Sequence, residues 1–307
     1  MIKATGSRTE ESRWMERGYT VRKTGGGQEG LEFWSLSSSS VHGNAYLVRS
    51  RNAVVLVDCG VGIRRLERQL EGVGVPPSSV DALFISHEHR DHLRALLLAN
   101  PFSIKHNVPT YGPEAVVRHL EVNSREGLTY QELTTIGSGS VVAVGDLLVT
   151  GVGKPHDTEG SLGYLIAEQP DGGRGGETLG IATDLGHVPP EVADAFTGLD
   201  HLIFESNHDE ELELRSNRPR QLIDRVMGDY GHLSNEQAGR ALRKMVRRNT
   251  QTVVLSHLSL DCNEPRLALK TVDRHLAEAG YGGRLAVAPA SGKKSFQQKT
   301  FNRRVTV

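Results

Sequence analysis

Ser86-His87-Glu88-His89-Arg90-Asp91-His92 places four potential metal ligands within six residues. Upstream, Ala82 to Ile85 reads as a short buried strand; downstream, Leu93 to Leu98 reads as the start of a helix. The cluster therefore falls on a strand-to-helix turn, where side chains can converge beyond the strand end. His87 and His89 are two residues apart, so an extended backbone sends them to one side. Asp91 and His92 follow where the chain turns and can face a second ion. Imidazoles with one carboxylate suit zinc, manganese or iron rather than calcium. The bland alternative is a solvated, His-rich loop. With 13 His among 307 residues, a chance grouping this dense is disfavoured.

Composition narrows the class. A chain of 307 residues fits one large domain or two small ones, and its 37% hydrophobic fraction can supply a core. A net charge of −1 advertises no general affinity for nucleic acid, so any such role must rest on local patches. The two cysteines, Cys59 and Cys262, make no disulfide framework and suit a reducing compartment. No N-terminal apolar signal and no run of 18 apolar residues occurs, so a cytoplasmic protein without a membrane partner is expected. The expected organisation is a flexible, Gly-rich leader over 1–30, one domain over 31–290 and a basic tail over 291–307.

Strands are expected at Leu31 to Leu36, Ala45 to Val48 and Ala53 to Val57, the last ending in Asp58-Cys59-Gly60. Asp58 is read as an acceptor that orients a ligand His rather than as a ligand. A hairpin with a loose tip at Asp171 to Gly176 is expected. Helices are expected at Ile63 to Leu70, Pro113 to Leu120, Gln221 to Met227, Glu236 to Arg248 and Pro265 to Ala279. No internal repeat is visible, although two similar halves would be allowed.

Three further candidates share a position with the first cluster. His156 follows the strand Leu147 to Val152, Asp184 follows Leu179 to Thr183, and His257 follows Thr252 to Ser256. Sites in α/β proteins collect at strand C-termini. Each residue alone could be structural. Together, His87, His89, Asp91, His92, His156, Asp184 and His257 suggest two divalent ions, zinc or manganese with iron possible, bridged by Asp184. Water held between two such ions would be the nucleophile, oriented by Asp91.

This ligand series, in this order, resembles the metallo-β-lactamase superfamily over residues 31 to 290, in its hydrolase and nuclease branches. His89 stands where the redox di-iron branch has Glu. The resemblance implies an α/β fold, a four-layer αββα sandwich. Gly43-Asn44-Ala45-Tyr46-Leu47-Val48, Leu56 to Gly60, Thr183-Asp184-Leu185-Gly186, Glu205 to Asp209 and Gly231 to Asn235 are similar to the YycJ/WalJ group. That group implies a 5′-to-3′ exonuclease on DNA using manganese or zinc. Asp184 to His257 is too short to hold the inserted domain of the β-CASP relatives.

Gly231-His232-Leu233-Ser234-Asn235 is the expected phosphate end of the site. Ser234 or Asn235 would stand at a helix N-terminus, which favours anions. His232 could hold a phosphate oxygen or protonate the leaving oxygen. Ser234-Asn235-Glu236-Gln237 also fits a capping box, which needs no ligand. Asn207 and His208 are further substrate candidates, and His42 and Asn44 are others. Arg215, Arg218 and Arg220 could touch a nucleic-acid backbone, whereas Arg240 to Arg248 reads as a solvated face and His187 and His201 as structural. The expected function is a metal-dependent phosphodiesterase on nucleic acid, a DNA exonuclease with RNA possible. The alternatives are a small-molecule cyclic phosphodiesterase, a glyoxalase II-like thioesterase, a β-lactamase and a non-catalytic metal-binding protein.

Overall fold

The computed structural model describes residues 19–20, 30–98, 100–123, 132–169 and 175–290. Most of the 1–30 leader, most of the 171–176 hairpin tip and all of the 291–307 tail lie outside them.

Two seven-stranded sheets carry the fold. The first runs β1 (Tyr19–Thr20), β2 (Glu32–Ser37), β3 (Ala45–Arg49), β4 (Val54–Val57), β5 (Ala82–Phe84), β6 (Thr110–Gly112) and β7 (Leu133–Thr135) in sequence order. The second holds β8 (Val141–Val144), β9 (Leu147–Gly153), β10 (Leu162–Glu168), β11 (Thr178–Ala182), β12 (His201–Glu205), β13 (Thr252–Ser256) and β14 (Arg284–Val287), again in order. In each sheet three antiparallel pairings precede three parallel ones. The halves thus repeat each other in backbone plan while their side chains have diverged, which is why no repeat is legible in the sequence.

Strand composition follows burial. β12 and β13 are parallel, covered on both faces and buried throughout. β9 alternates buried and half-buried residues. Phe33, Tyr46 and Phe84 of the first sheet meet Val149, Tyr164 and Ile166 of the second in one core. On the outer face of the first sheet, helix Ile63–Gly72 buries Leu66 and Leu70, one turn apart. On the outer face of the second, helices Asn235–Met245 and Pro265–Glu278 bury Leu242, Met245, Leu269, Val272 and Leu276. The result is the four-layer αββα sandwich.

Two differences from the sequence reading matter. The helix expected from Leu93 begins earlier, at Arg90–Leu93, and passes into a tight turn at Arg94–Leu96. The metal motif therefore supplies its own first helical turn. Segment Glu210–Leu214, read only as polar, is helical, because Asp209 accepts from the backbone N–H groups of Glu211 and Leu212 and caps it.

Candidate metal centre

Backbone contacts aim the first cluster. Gly60 lies so close to the second cluster loop that a Cβ there would stand 1.5 Å from the Asp91 carbonyl oxygen. Only glycine permits this approach. It lets Cys59 N–H bond to the His92 carbonyl (2.7 Å) and Asn44 N–H to the Asp91 carbonyl (2.7 Å). The Asn44 amide also donates to Asp91 Oδ2 at 3.2 Å. Asp58, Asp184 and His257 all have positive φ, near 55–58°. Each stands just after a strand, and such non-glycine backbone strain concentrates at functional sites.

The structure brings all seven expected ligands to one place. His87, His89 and His156 form one group, and Asp91, His92 and His257 another, each with ligand atoms within 4.8 Å of one another. His87 Nε2 and His89 Nδ1 stand 3.1 Å apart. Asp184 lies between the groups: Oδ2 is 3.3 Å from His92 Nε2, and Oδ1 is 3.5 Å from His257 Nε2 and 4.0 Å from His156 Nε2. His156 Nε2, His257 Nε2 and Asp184 Oδ2 are buried with no hydrogen-bond partner. Buried polar atoms almost always find partners, so this inward-facing set fits divalent metal.

The surrounding acceptors settle which ring nitrogens face inward. His92 Nδ1–H donates to Asp58 Oδ2 at 2.8 Å, while Asp58 also accepts from Ser86 N–H and Oγ–H. His257 Nδ1–H donates to Glu205 Oε1 at 2.8 Å. Because a carboxylate only accepts, each ring keeps a proton on Nδ1, so Nε2 is the atom turned to the centre and the one that would bind a metal once the ring is neutral. Asp58 is thus hydrogen-bonded to the ring of His92 and to Ser86 at once. Burial opposes the charge on His92, yet Asp184, Asp58 and Asp91 hold its pKa well above the usual imidazole range. Burial is likewise outweighed at His257, raised to about 10 by Asp184, Asp91 and Glu205. At Asp184 the nearby His257 and His92 overcome burial and hold the carboxyl well below the usual range.

Glu205, at the end of β12, is the residue the sequence reading passed over. Its Oε1 accepts from Nδ1 of both His257 and His232 (2.9 Å), and its Oε2 from the N–H groups of Leu185 and Leu233. It is geometrically close enough to join a ligand group with Asp184, His232 and His257. With both oxygens already accepting, it acts as a support rather than a ligand. Its strand-end position, shared with the ligands, was the available signal. Lys154 was also missed: buried, it donates to Ser161 Oγ and to the Asp184 carbonyl at 2.9 Å. There it braces the strained backbone of the central carboxylate.

The expected phosphate residues separate. His232 packs beside His156 and His257, with ring centroids 5.4 and 5.1 Å away, and remains partly exposed. Ser234 is taken up by the capping box with Gln237 and donates to Glu210 Oε1 at 2.7 Å. Asn235 is buried, its side chain taken up by Ser206 and Asn263. Asn207 donates to the His257 carbonyl at 2.8 Å, so it braces the backbone there. His208 is buried, its Nδ1 without a hydrogen-bond partner. Arg215, Arg218 and Arg220 are held by Glu211, by Glu213 and Asp261, and by Asp224 respectively. That local pairing explains the polar segment without a nucleic acid.

A family model described as the beta-lactamase superfamily domain matches residues 53–258. The chain belongs to this superfamily. It is a metal-dependent hydrolase. Its relatives include exodeoxyribonuclease YycJ of Bacillus anthracis, 30% identical over 254 residues, which cover 82% of this chain and 92% of that protein. Exodeoxyribonuclease WalJ of Streptococcus pneumoniae is 26% identical over 251 residues, covering 81% and 90%. Among solved structures, the metallo-beta-lactamase fold protein YhfI of Bacillus subtilis superposes with a TM-score of 0.63 at 17% identity, covering 85% of this chain and 98% of that one. The shared fold is an αββα sandwich. No helix among the described residues is long and apolar enough to cross a membrane.

Proposed function

We propose that this chain is a phosphodiesterase with two divalent metal ions, zinc or manganese, that degrades nucleic acid from its ends as a 5′-to-3′ exonuclease on DNA. The observation that carries this reading is the pair of ligand groups sharing Asp184, with the Glu205–His232 pair immediately beside them. The names of the YycJ and WalJ relatives, matched over most of their length, support the choice of DNA.

Bound ions would lower the pKa of an attacking water and polarise the phosphoryl oxygen. His87, His89 and His156 would hold one ion, Asp91, His92 and His257 the other, and Asp184 both. Asp91 is the half-exposed carboxylate of the set, so it can also accept a proton from the attacking water. His232 donates through Nδ1 to Glu205, leaving Nε2 to meet a phosphate oxygen or protonate the departing one. Glu205 fixes the orientation of the ring through that hydrogen bond. Tyr230, 62% exposed and two residues before His232, would offer a nucleobase a ring to stack on.

The test is digestion of 5′-phosphorylated DNA and matched RNA with Mn²⁺ or Zn²⁺. Mononucleotides released from DNA 5′ ends, and lost with Asp91→Ala, are expected. Intact polymers alongside cleavage of a cyclic phosphate would replace this reading with a small-molecule phosphodiesterase.

A further inference from the structure

We propose that five arginines beside the metal centre, Arg64, Arg65, Arg68, Arg90 and Arg94, form a track for the phosphate backbone of single-stranded nucleic acid. This rests on the nuclease reading above and adds the path by which the strand reaches the site.

Two segments build the wall. The approach of Gly60 to Asp91 and the bond from Ala95 N–H to the Cys59 carbonyl (2.9 Å) press the chain before helix Ile63–Gly72 onto segment 91–95. Leu66 and Leu70 of that helix share a core with Leu93, Ala95 and Leu96. Away from this seam the surface is basic: Arg64, Arg68, Arg90 and Arg94 are exposed and Arg65 is half-buried. Arg90 sits directly between His89 and Asp91, so the wall begins at the ligand cluster itself.

Among the described residues, none of these five arginines has an ion pair. Arg215, Arg218, Arg220, Arg225, Arg243 and Arg274 all do. The acids nearby are committed elsewhere or do not pair with these arginines. Glu67 is held by Lys105 and His106. Asp91 faces the ligand cluster, Glu88 has one carboxylate oxygen buried, and Glu71, three residues after Arg68 on the same helix, makes no ion pair with it.

The arrangement weakens the local fold. Arg64 and Arg65 occupy a first helical turn that holds no acid, against the preference of the helix dipole. Arg64 and Arg68 are like charges four residues apart on one helix, which repel. Burial and the Arg68 charge together lower the Arg65 pKa. A surface that keeps such charges unpaired next to a phosphodiester-cleaving centre is complementary to a polyanion, with counterion release as the driving force.

The experiment compares wild type with the Arg64→Gln/Arg68→Gln/Arg94→Gln triple variant, all exposed positions, in the full chain with Mn²⁺. Substrates are a 5′-phosphorylated oligothymidylate of about 30 nucleotides and bis(p-nitrophenyl) phosphate. The expected result is an oligonucleotide KM raised about tenfold or more, and a salt slope of log affinity smaller by about 2, from roughly 0.7 per lost phosphate contact. Hydrolysis of the small diester should stay within about twofold. An Arg215→Gln/Arg220→Gln variant, which removes paired arginines, should leave the slope unchanged. A wild-type slope in the triple variant, or an equal drop in the control, overturns the track while leaving the nuclease reading standing. A wild-type protein that leaves the oligonucleotide intact and unbound overturns both.

Discussion

The carboxylate of Glu205 stands 2.9 Å from Nδ1 of His232, and neither residue belongs to the first ligand motif. If His232 protonates the leaving oxygen, its value depends on how badly that oxygen needs a proton. His232→Ala should lower the rate on DNA ends by about 10²–10⁴. On bis(p-nitrophenyl) phosphate, whose nitrophenolate leaves unprotonated, the loss should be about tenfold or less. Glu205→Gln should show the same asymmetry more weakly. Equal losses on both substrates would sink the acid role and leave His232 as a phosphate ligand.

Metal uptake should release protons. In chelator-stripped protein His92 and His257 are held protonated near pH 7, their pKa values raised by Asp184 and its acidic neighbours. A ligand imidazole binds in its neutral form, so each ion must displace a proton, and affinity must fall as pH falls. Titration calorimetry in two buffers of different ionisation heat should report about two protons released per chain. Proton-neutral binding at pH 7 would refute the raised pKa values of His92 and His257. Asp184→Asn should cut the metal content below about one ion per chain, measured by elemental analysis.

Gly60→Ala tests the backbone support of the motif. Its methyl would overlap the Asp91 carbonyl, 1.5 Å away, and backbone cannot swing aside. The chain should lose roughly 3 kcal/mol or more of stability in denaturant unfolding, together with metal affinity, since Asp91 and His92 move with the loop. A variant of wild-type stability would show that the 58–61 loop has room to relax.

Ser234→Ala separates capping from substrate binding. The hydroxyl accepts from Gln237 N–H and donates to Glu210, so its loss should cost about 1 kcal/mol of stability. KM for DNA should change little. A KM raised several-fold with unchanged stability would return Ser234 to the phosphate site.

The legible part of the site was the part carried by local patterning. His87 to His92 announced itself because four ligand-type residues in six positions are improbable without a shared ion. His156, Asp184 and His257 were legible because apolar strands end just before them. Asp58 was placed at a strand end for the same reason, and the structure sets it against the His92 ring. Glu205 occupies the same kind of position, yet a Glu ending a buried strand has no spacing signature, and its partners lie 27 and 52 residues away.

By itself, then, the sequence determined the candidate ligand residues and their placement at strand ends, because periodicity and strand ends are local properties, while the αββα sandwich came from the resemblance of that residue series to a known superfamily. Only the tertiary structure decided which nitrogens face inward, that Glu205 and Lys154 brace the centre, and that Asn235 is taken up by Ser206 and Asn263. It also decided which arginines are paired: Arg215, Arg218 and Arg220 find acids, whereas Arg64, Arg68, Arg90 and Arg94 find none among the described residues. Hydrogen bonds and ion pairs of this kind depend on groups far apart in the chain meeting within about 3–4 Å. No single stretch of residues encodes such a distance.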